Sequence, residues 1–321
     1  MALEDAKTEV DTAFTRSSNR GLSFENAFGG ATSFLRRRYS KDLTGVDLAI
    51  TGVPFDQAVT HRTGTRFGPR AIREVSTLQP YDPPHGWPTN PLEDMDIVDY
   101  GDVAFDYAKT ADFPAALTAH IAGILKAGAG TITLGGDHFI TLPILRAYAA
   151  KFGPLSVIHF DAHSDLWVDD DMSRIDHGTF MYKAVKTGLV DPARSVQIGI
   201  RTTTEDYLGF NVITAREVHE KGAAQVVAMA KDIVGDAPTY LTFDIDALDP
   251  AFAPGTGTPV WGGLASWQAA ACLRDLAGIN LVGGDVVEVS PPYDPTGITA
   301  VAGAHVAYEL ICLYHWARTQ R

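Results

Sequence analysis

The 321-residue chain is 45% hydrophobic and carries a formal net charge of −13 at pH 7. That is apolar mass for a large core and too little basic surface for a nucleic-acid partner. Its two thiols, Cys272 and Cys312, lie far apart in apolar stretches, which reads as core packing and excludes a disulfide framework or thiolate metal site.

Residues 1–30 lack the apolar segment of a secretion signal, and Glu4, Asp5, Glu9 and Asp11 speak against a transit peptide. No apolar run reaches the roughly 18 residues that a membrane span needs. The expectation is a cytoplasmic protein with a single domain over 1–321, residues 1 to about 30 forming an arm. Arg36-Arg37-Arg38 reads as a solvated helix face. Apolar runs suited to buried strands then recur at Asp47–Thr51, Thr131–Leu134, Leu155–Phe160, Ser195–Ile200, Asn211–Ile213, Thr239–Phe243 and Leu281–Val287. Helix-like segments fall between them at Ala115–Ala127, Leu142–Lys151, Ala224–Ile233 and Trp267–Ala277. No linker or repeat interrupts the series. Such alternation predicts an α/β fold, three-layer α/β/α with a mainly parallel central sheet. Ligands of these sheets bind beyond the carboxyl ends of the strands.

Three of the runs end in residues with metal chemistry. Thr131–Leu134 leads into Gly135-Gly136-Asp137-His138, and Leu155–Phe160 into Asp161-Ala162-His163-Ser164-Asp165. Tyr240–Phe243 leads into Asp244-Ile245-Asp246. In extended backbone Asp161, His163 and Asp165 would share a face. Any one of these residues alone would ordinarily be a turn, a cap or a structural partner. Together they gather carboxylates that repel unless cations lie among them. Two divalent ions can be satisfied by six side chains if two carboxylates bridge. Asp161 and Asp244, each at the first position after its run, are the expected bridges. One ion would take His138, Asp161, Asp165 and Asp244; the other Asp161, His163, Asp244 and Asp246. A carboxylate-rich, thiolate-free donor set suits Mn²⁺ better than Zn²⁺. Asp137 is expected to orient His138 or cap the next helix, Asp249 to make a turn, and Asp285 to hold structure.

Leu134-Gly135-Gly136-Asp137-His138, Phe160-Asp161-Ala162-His163-Ser164-Asp165 and Thr242-Phe243-Asp244-Ile245-Asp246, the last followed by Pro250, Pro254-Gly255 and Gly263, resemble the three signatures of the ureohydrolase (arginase) superfamily. Supporting stretches, among them Gly52-Val53-Pro54-Phe55-Asp56 and Gly64-Thr65-Arg66-Phe67-Gly68-Pro69, look most like agmatinases. The resemblance implies the three-layer fold, two Mn²⁺ per subunit, and hydrolysis of a guanidinium to urea and an amine. It also implies a homohexamer or homotrimer, with the terminal helix around Glu309 to Trp316 as a candidate contact.

Two more residues join the site. His177 lies on a polar loop and suits proton shuttling near neutral pH; the resemblance gives that position the proton relay. Glu288 follows another apolar run, where a carboxylate could pair with guanidinium N–H groups; the resemblance gives it substrate binding. On residues alone, either could be a structural hydrogen-bond partner. The expected reaction is attack by a hydroxide bridging the metals, aimed by Asp165.

The expected substrate is a small cationic guanidino compound. Asp169-Asp170-Asp171, on the loop Leu166–Asp176, would form an acidic rim favouring a second positive charge, as in agmatine. Arg62, Arg66 and Arg174 could instead meet a carboxylate, which keeps 4-guanidinobutyrate and 3-guanidinopropionate open. The loop before His177 lacks the arginase Ser-Gly-Asn-Leu-His sequence, which argues against arginine. A formimino or other guanidine hydrolase and a non-catalytic metal-binding relative complete the alternatives. The last is disfavoured because no ligand, nor His177 nor Glu288, is missing.

Overall fold

A computed structural model describes residues 18–21, 26–79 and 82–319. The expected arm at 1–30 therefore lies largely outside the described residues. Nine strands form one sheet: β1 (Arg38–Tyr39), β2 (Leu48–Gly52), β3 (Ile97–Asp102), β4 (Gly130–Leu134), β5 (Ser156–Phe160), β6 (Val196–Ile200), β7 (Asn211–Thr214), β8 (Thr239–Asp244) and β9 (Leu281–Val287). Their order is β1-β3-β2-β4-β9-β8-β5-β6-β7, and every pairing among them is parallel. β2, β4, β5, β6 and β8 are buried along their whole length. That is why they read as continuous apolar runs rather than alternating ones.

Helices cover both faces. α1 (Gly68–Ser76), α6 (Ala215–Lys221), α7 (Ala223–Val234), α8 (Ser266–Asp275) and α9 (Ile298–Thr319) supply one core. α3 (Phe113–Lys126), α4 (Thr141–Phe152) and α5 (Phe180–Lys186) supply the other; α2 (Pro91–Asp94) is a single turn. Local chemistry sets several boundaries. Pro69 and Pro114 stand in the first turns of α1 and α3, where no backbone N–H is needed. A capping box of Thr214 and Glu217 opens α6.

The expected three-layer architecture is present, with two strands more than the sequence suggested. β3 is missed because Asp99, Gly101 and Asp102 interrupt its apolar pattern, and β1 has only two residues. Arg36 and Arg37 are not a solvated helix face. Both are buried, and their guanidinium groups donate to main-chain carbonyls of Asn26, Gly29, Leu35 and Gly21. The stretch Glu309–Trp316 is also spent inside the chain, with residues 309–315 buried.

The site depends on the middle of the sheet. β4, β9, β8 and β5 are neighbours, and their carboxyl ends lie side by side. Each buried Leu, Ile, Val or Phe stabilises this arrangement by roughly 1.5–3 kcal/mol relative to exposure. Such packing holds strand ends together although they carry mutually repelling carboxylates.

Candidate metal centre

His138 begins the turn after β4, Asp161 follows β5 and Asp244 ends β8. Gly136 sits between β4 and His138, where a Cβ would lie 1.8 Å from the Phe55 carbonyl oxygen. Only glycine lets the two backbones approach so closely. Nδ1 of His138 lies 3.1 Å from Asp161 Oδ2, 3.2 Å from Asp165 Oδ2 and 3.1 Å from Asp244 Oδ2. Nδ1 of His163 lies 3.3 Å from Asp161 Oδ1 and 3.1 Å from Asp246 Oδ2. The two oxygens of Asp161 thus face different groups, as a bridge would. Asp244 joins the first group through Oδ2, while its Oδ1 accepts the Asp246 N–H at 2.8 Å.

The route to this grouping differs from simple extended alternation. The chain bends after Phe160, and Asp165 has φ of 51°, a left-handed conformation rare for a residue with a side chain. That twist turns Asp165 toward His138 while His163 turns toward Asp246. Glu288 shares the conformation, with φ of 62°. Strain of this kind costs on the order of 1–3 kcal/mol per residue and gathers at functional sites.

The donor set fits a divalent cation. The single hydroxyl hydrogen of Thr242 goes to Asp285 Oδ1 at 2.6 Å. Thr242 Oγ1 therefore accepts from His138 Nε2–H at 2.8 Å. The other ring nitrogen, Nδ1, is left with a lone pair, buried and without a hydrogen-bond partner, directed at three carboxylate oxygens. In the neutral ring that lone pair faces three anionic oxygens. Burial disfavours a charged ring, but Asp161, Asp165 and Asp244 push the imidazole well up, so the site calls for a positive charge at this point, whether a proton or a metal ion. The electrostatics agree. Burial and then the neighbouring Asp246 and Asp161 push the Asp244 carboxyl well up. Burial opposes a charged His163, yet Asp246 and Asp161 carry it up to about 12.

Residues outside the expected set complete the support. His159, fully buried, donates from Nε2 to Asp161 Oδ2 at 2.7 Å. Its Nδ1 accepts from Gln197 Nε2 at 3.0 Å, and that amide also donates to the Ser164 carbonyl at 2.7 Å. His159 thus steadies the Asp161 carboxylate. A trace of it was available in the sequence: His159 stands two residues before Asp161, and Thr242 two before Asp244, on the same strand faces. Asp285 holds structure as expected, taking Thr141, Tyr240 and Thr242 hydroxyls. Asp249 makes its turn, accepting from Ala251, Gly262 and Gly263. Asp137 neither orients His138 nor caps a helix; its Oδ2 accepts the Ala58 N–H at 2.8 Å and pins the Phe55–Thr60 loop over the site.

Glu288 Oε1 accepts the His138 N–H and His177 Nδ1–H, each at 2.9 Å. Its Oε2 is buried and without a partner. His177 Nε2 accepts from the Thr60 N–H at 3.1 Å, which places the ring hydrogen of the neutral form on Nδ1. Burial disfavours a charged His177, but the Glu288 carboxylate outweighs it and lifts the imidazole to about 9. Glu288 therefore favours the imidazolium and the Thr60 N–H the neutral ring.

A cavity of about 350 Å³ opens beside the cluster, lined by His163, Asp165 and Asp244 and by Thr60, Trp167, Asp176, His177, Gly178, Thr179 and Thr258. The Asp169-Asp170-Asp171 rim is not part of it. Asp169 is buried and paired with Lys183 Nζ at 2.8 Å and Arg174 at 3.2 Å, and Asp170 and Asp171 face solvent. The three arginines considered as carboxylate readers are also engaged elsewhere. Arg66 binds Asp56 at 2.5 Å, Arg174 binds Asp169, and Arg62 stacks 4.9 Å over the Tyr293 ring.

Fold and cluster together define an enzyme of the ureohydrolase type. The chain belongs to the Arginase family, whose sequence profile matches residues 46–312. It is 50% identical over 312 residues to an agmatinase of Chromobacterium violaceum, covering 97% of each chain. A crystal structure of a hypothetical agmatinase from Burkholderia thailandensis superposes with a TM-score of 0.94 at 52% identity, over 97% of this chain and 99% of that one. Proclavaminate amidino hydrolase from Streptomyces clavuligerus superposes with a TM-score of 0.85 at 37% identity, over 91% and 100%. No helix among the described residues is long and apolar enough to cross a membrane.

Proposed function

We propose that this chain hydrolyses agmatine to putrescine and urea at a pair of Mn²⁺ ions. His138, Asp161, Asp165 and Asp244 would hold one ion, and Asp161, His163, Asp244 and Asp246 the other. The observation that carries the reading is the buried carboxylate cluster, whose carboxylate oxygens meet imidazoles and no lysine or arginine at bonding distance among the described residues, beside a cavity. The agmatinase names of relatives about half identical to it support the substrate. Bound there, the two ions would supply a water acidified enough to attack at neutral pH.

The side chains carry the remaining steps. Asp165, held to one geometry by its left-handed backbone, accepts a hydrogen bond from the attacking oxygen and aims it. Glu288 Oε2, buried and unpartnered, takes guanidinium N–H groups, and its desolvation makes that charge-assisted pairing strong. Water adds to the guanidino carbon, the bond to the substituted nitrogen breaks, and the departing amine needs a proton. His177 supplies it. When its ring takes a second proton, the new Nε2–H can be taken by the Thr60 hydroxyl oxygen, 3.0 Å away, while Nδ1–H stays on Glu288, so the charged ring is held at the cavity with a proton to give. Glu288 is thus both the guanidinium partner and the group that keeps His177 protonatable.

Urea release tests the reading, measured after Mn²⁺ preincubation with agmatine, 4-guanidinobutyrate, 3-guanidinopropionate, arginine and guanidine side by side. Agmatine is expected to be preferred by a wide margin. Preference for a guanidino acid would overturn the substrate, and urea from none of them would overturn the reaction.

A further inference from the structure

We propose that Asp176, against the wall formed by Trp167, reads the ammonium at the far end of the substrate. The inference rests on the agmatine reading above and adds the residue that selects the tail.

Asp176 lines the cavity together with three ligands of the cluster. Among the described residues lining that cavity, it is the one carboxylate outside the cluster and its ligands, and no lysine or arginine lines it. Its Oδ1 accepts the Gly178 N–H at 2.8 Å, which fixes the plane of the carboxylate. Among the described residues no hydrogen bond or ion pair takes Oδ2, so one oxygen is held and the other is offered. Trp167 packs on the same backbone turn, since a Cβ on Gly178 would lie 3.2 Å from Trp167 Cε3. Gly178 thus lets the indole lie close to the turn that carries Asp176. An anionic oxygen beside an aromatic wall suits a primary ammonium. A neutral tail gains less there, and a carboxylate tail is repelled. The three nearby arginines that could have reversed this preference are engaged with Asp56, Asp169 and Tyr293.

The test pairs a change in the protein with a change in the substrate. Agmatine is compared with n-butylguanidine, which keeps the guanidinium and the four-carbon chain but lacks the ammonium. Both are assayed with the Mn²⁺-loaded wild type and with Asp176→Asn, whose amide oxygen can still accept from Gly178. In the wild type, losing the ammonium should lower kcat/KM about 10- to 100-fold, mostly through KM. In Asp176→Asn that penalty should shrink to less than about threefold, with butylguanidine turnover close to wild type. Asp176→Lys should shift relative use from agmatine toward 4-guanidinobutyrate. If the wild type cleaves both substrates equally well, or if Asp176→Asn loses the same factor on both, the assignment is overturned while the hydrolase reading stands. If the wild type releases urea from neither, the hydrolase reading falls and this inference with it. Should the Asn variant not fold, Asp176→Ser, whose hydroxyl oxygen can still accept from Gly178, takes its place in the comparison with the same expected and overturning results.

Discussion

Asp99 and Asp161 are both fully buried carboxylates, one toward the β1 edge of the sheet and the other at its centre. Asp99 is answered by the chain itself. Arg73 donates to both of its oxygens, at 2.8 and 3.0 Å, and the main-chain N–H groups of Phe34 and Gly101 complete its shell. Arg73 also takes Asp102 at 2.6 Å. Asp161, with Asp165, Asp244 and Asp246 around it, has no lysine or arginine within bonding distance among the described residues. Its partners are His138, His159 and His163, and two of these present ring nitrogens to several carboxylates at once. The contrast shows how to tell a structural acidic cluster from one that awaits a ligand. Where the chain brings its own guanidinium, the charge is settled at folding. Where only imidazoles reach the carboxylate oxygens, and Arg201 stops at the Asp246 main-chain carbonyl, a deficit is left for ions from solution.

The strongest way to break this comparison is Asp161→Asn. Metal content after gel filtration and urea release should be lost together. The metal-free variant should unfold somewhat more easily than metal-free wild type, because His159, His138 and His163 outweigh burial and favour the ionised Asp161 carboxylate. Full activity at low added Mn²⁺ would sink the bridging role. Arg73→Met probes the self-compensated cluster and should cost about 3–5 kcal/mol in urea denaturation, with metal uptake unchanged. A loss below about 1 kcal/mol would mean that Asp99 does not depend on its guanidinium. Thr242→Val is the finest of the three. Without the acceptor that fixes His138 Nε2–H, Mn²⁺ affinity by calorimetric titration should fall about 10- to 100-fold while the fold is retained. Unchanged affinity would show that the ring is oriented by packing instead.

Much of this was legible in the sequence for one reason. In a buried parallel strand the apolar run is unbroken, so a polar residue at its carboxyl end stands out. His138, Asp161, Asp244 and Glu288 were visible as such ends. His159 and Thr242 were harder to see because they lie inside the runs, where a polar residue reads as an imperfection rather than as a support. The acidic triplet misled in the opposite sense. Asp169 looked like part of a charged rim, but Lys183, fourteen residues on, turns inward from α5 to neutralise it. Such a pairing depends on how a loop folds back over a helix, which periodicity does not encode. Arg36 and Arg37 misled as well, since a basic run carries no sign of the carbonyls that gather around it.

The sheet order has a consequence for the making of the protein. The four strands that converge on the cluster stand as β4-β9-β8-β5, so no two of them that touch are adjacent in the sequence except β8 and β9. A growing chain has His138, Asp161, His163 and Asp165 well before it has Asp246, and β9, which separates β4 from β8, ends only at Val287. The donors of the first two strands cannot be brought into place until that late strand is inserted between them. The complete cluster therefore needs the pairing of β9, the latest of these four strands in the chain. Uptake of an ion during synthesis or refolding would mark the closing of the sheet, and the time course of Mn²⁺ capture could serve as a clock for it.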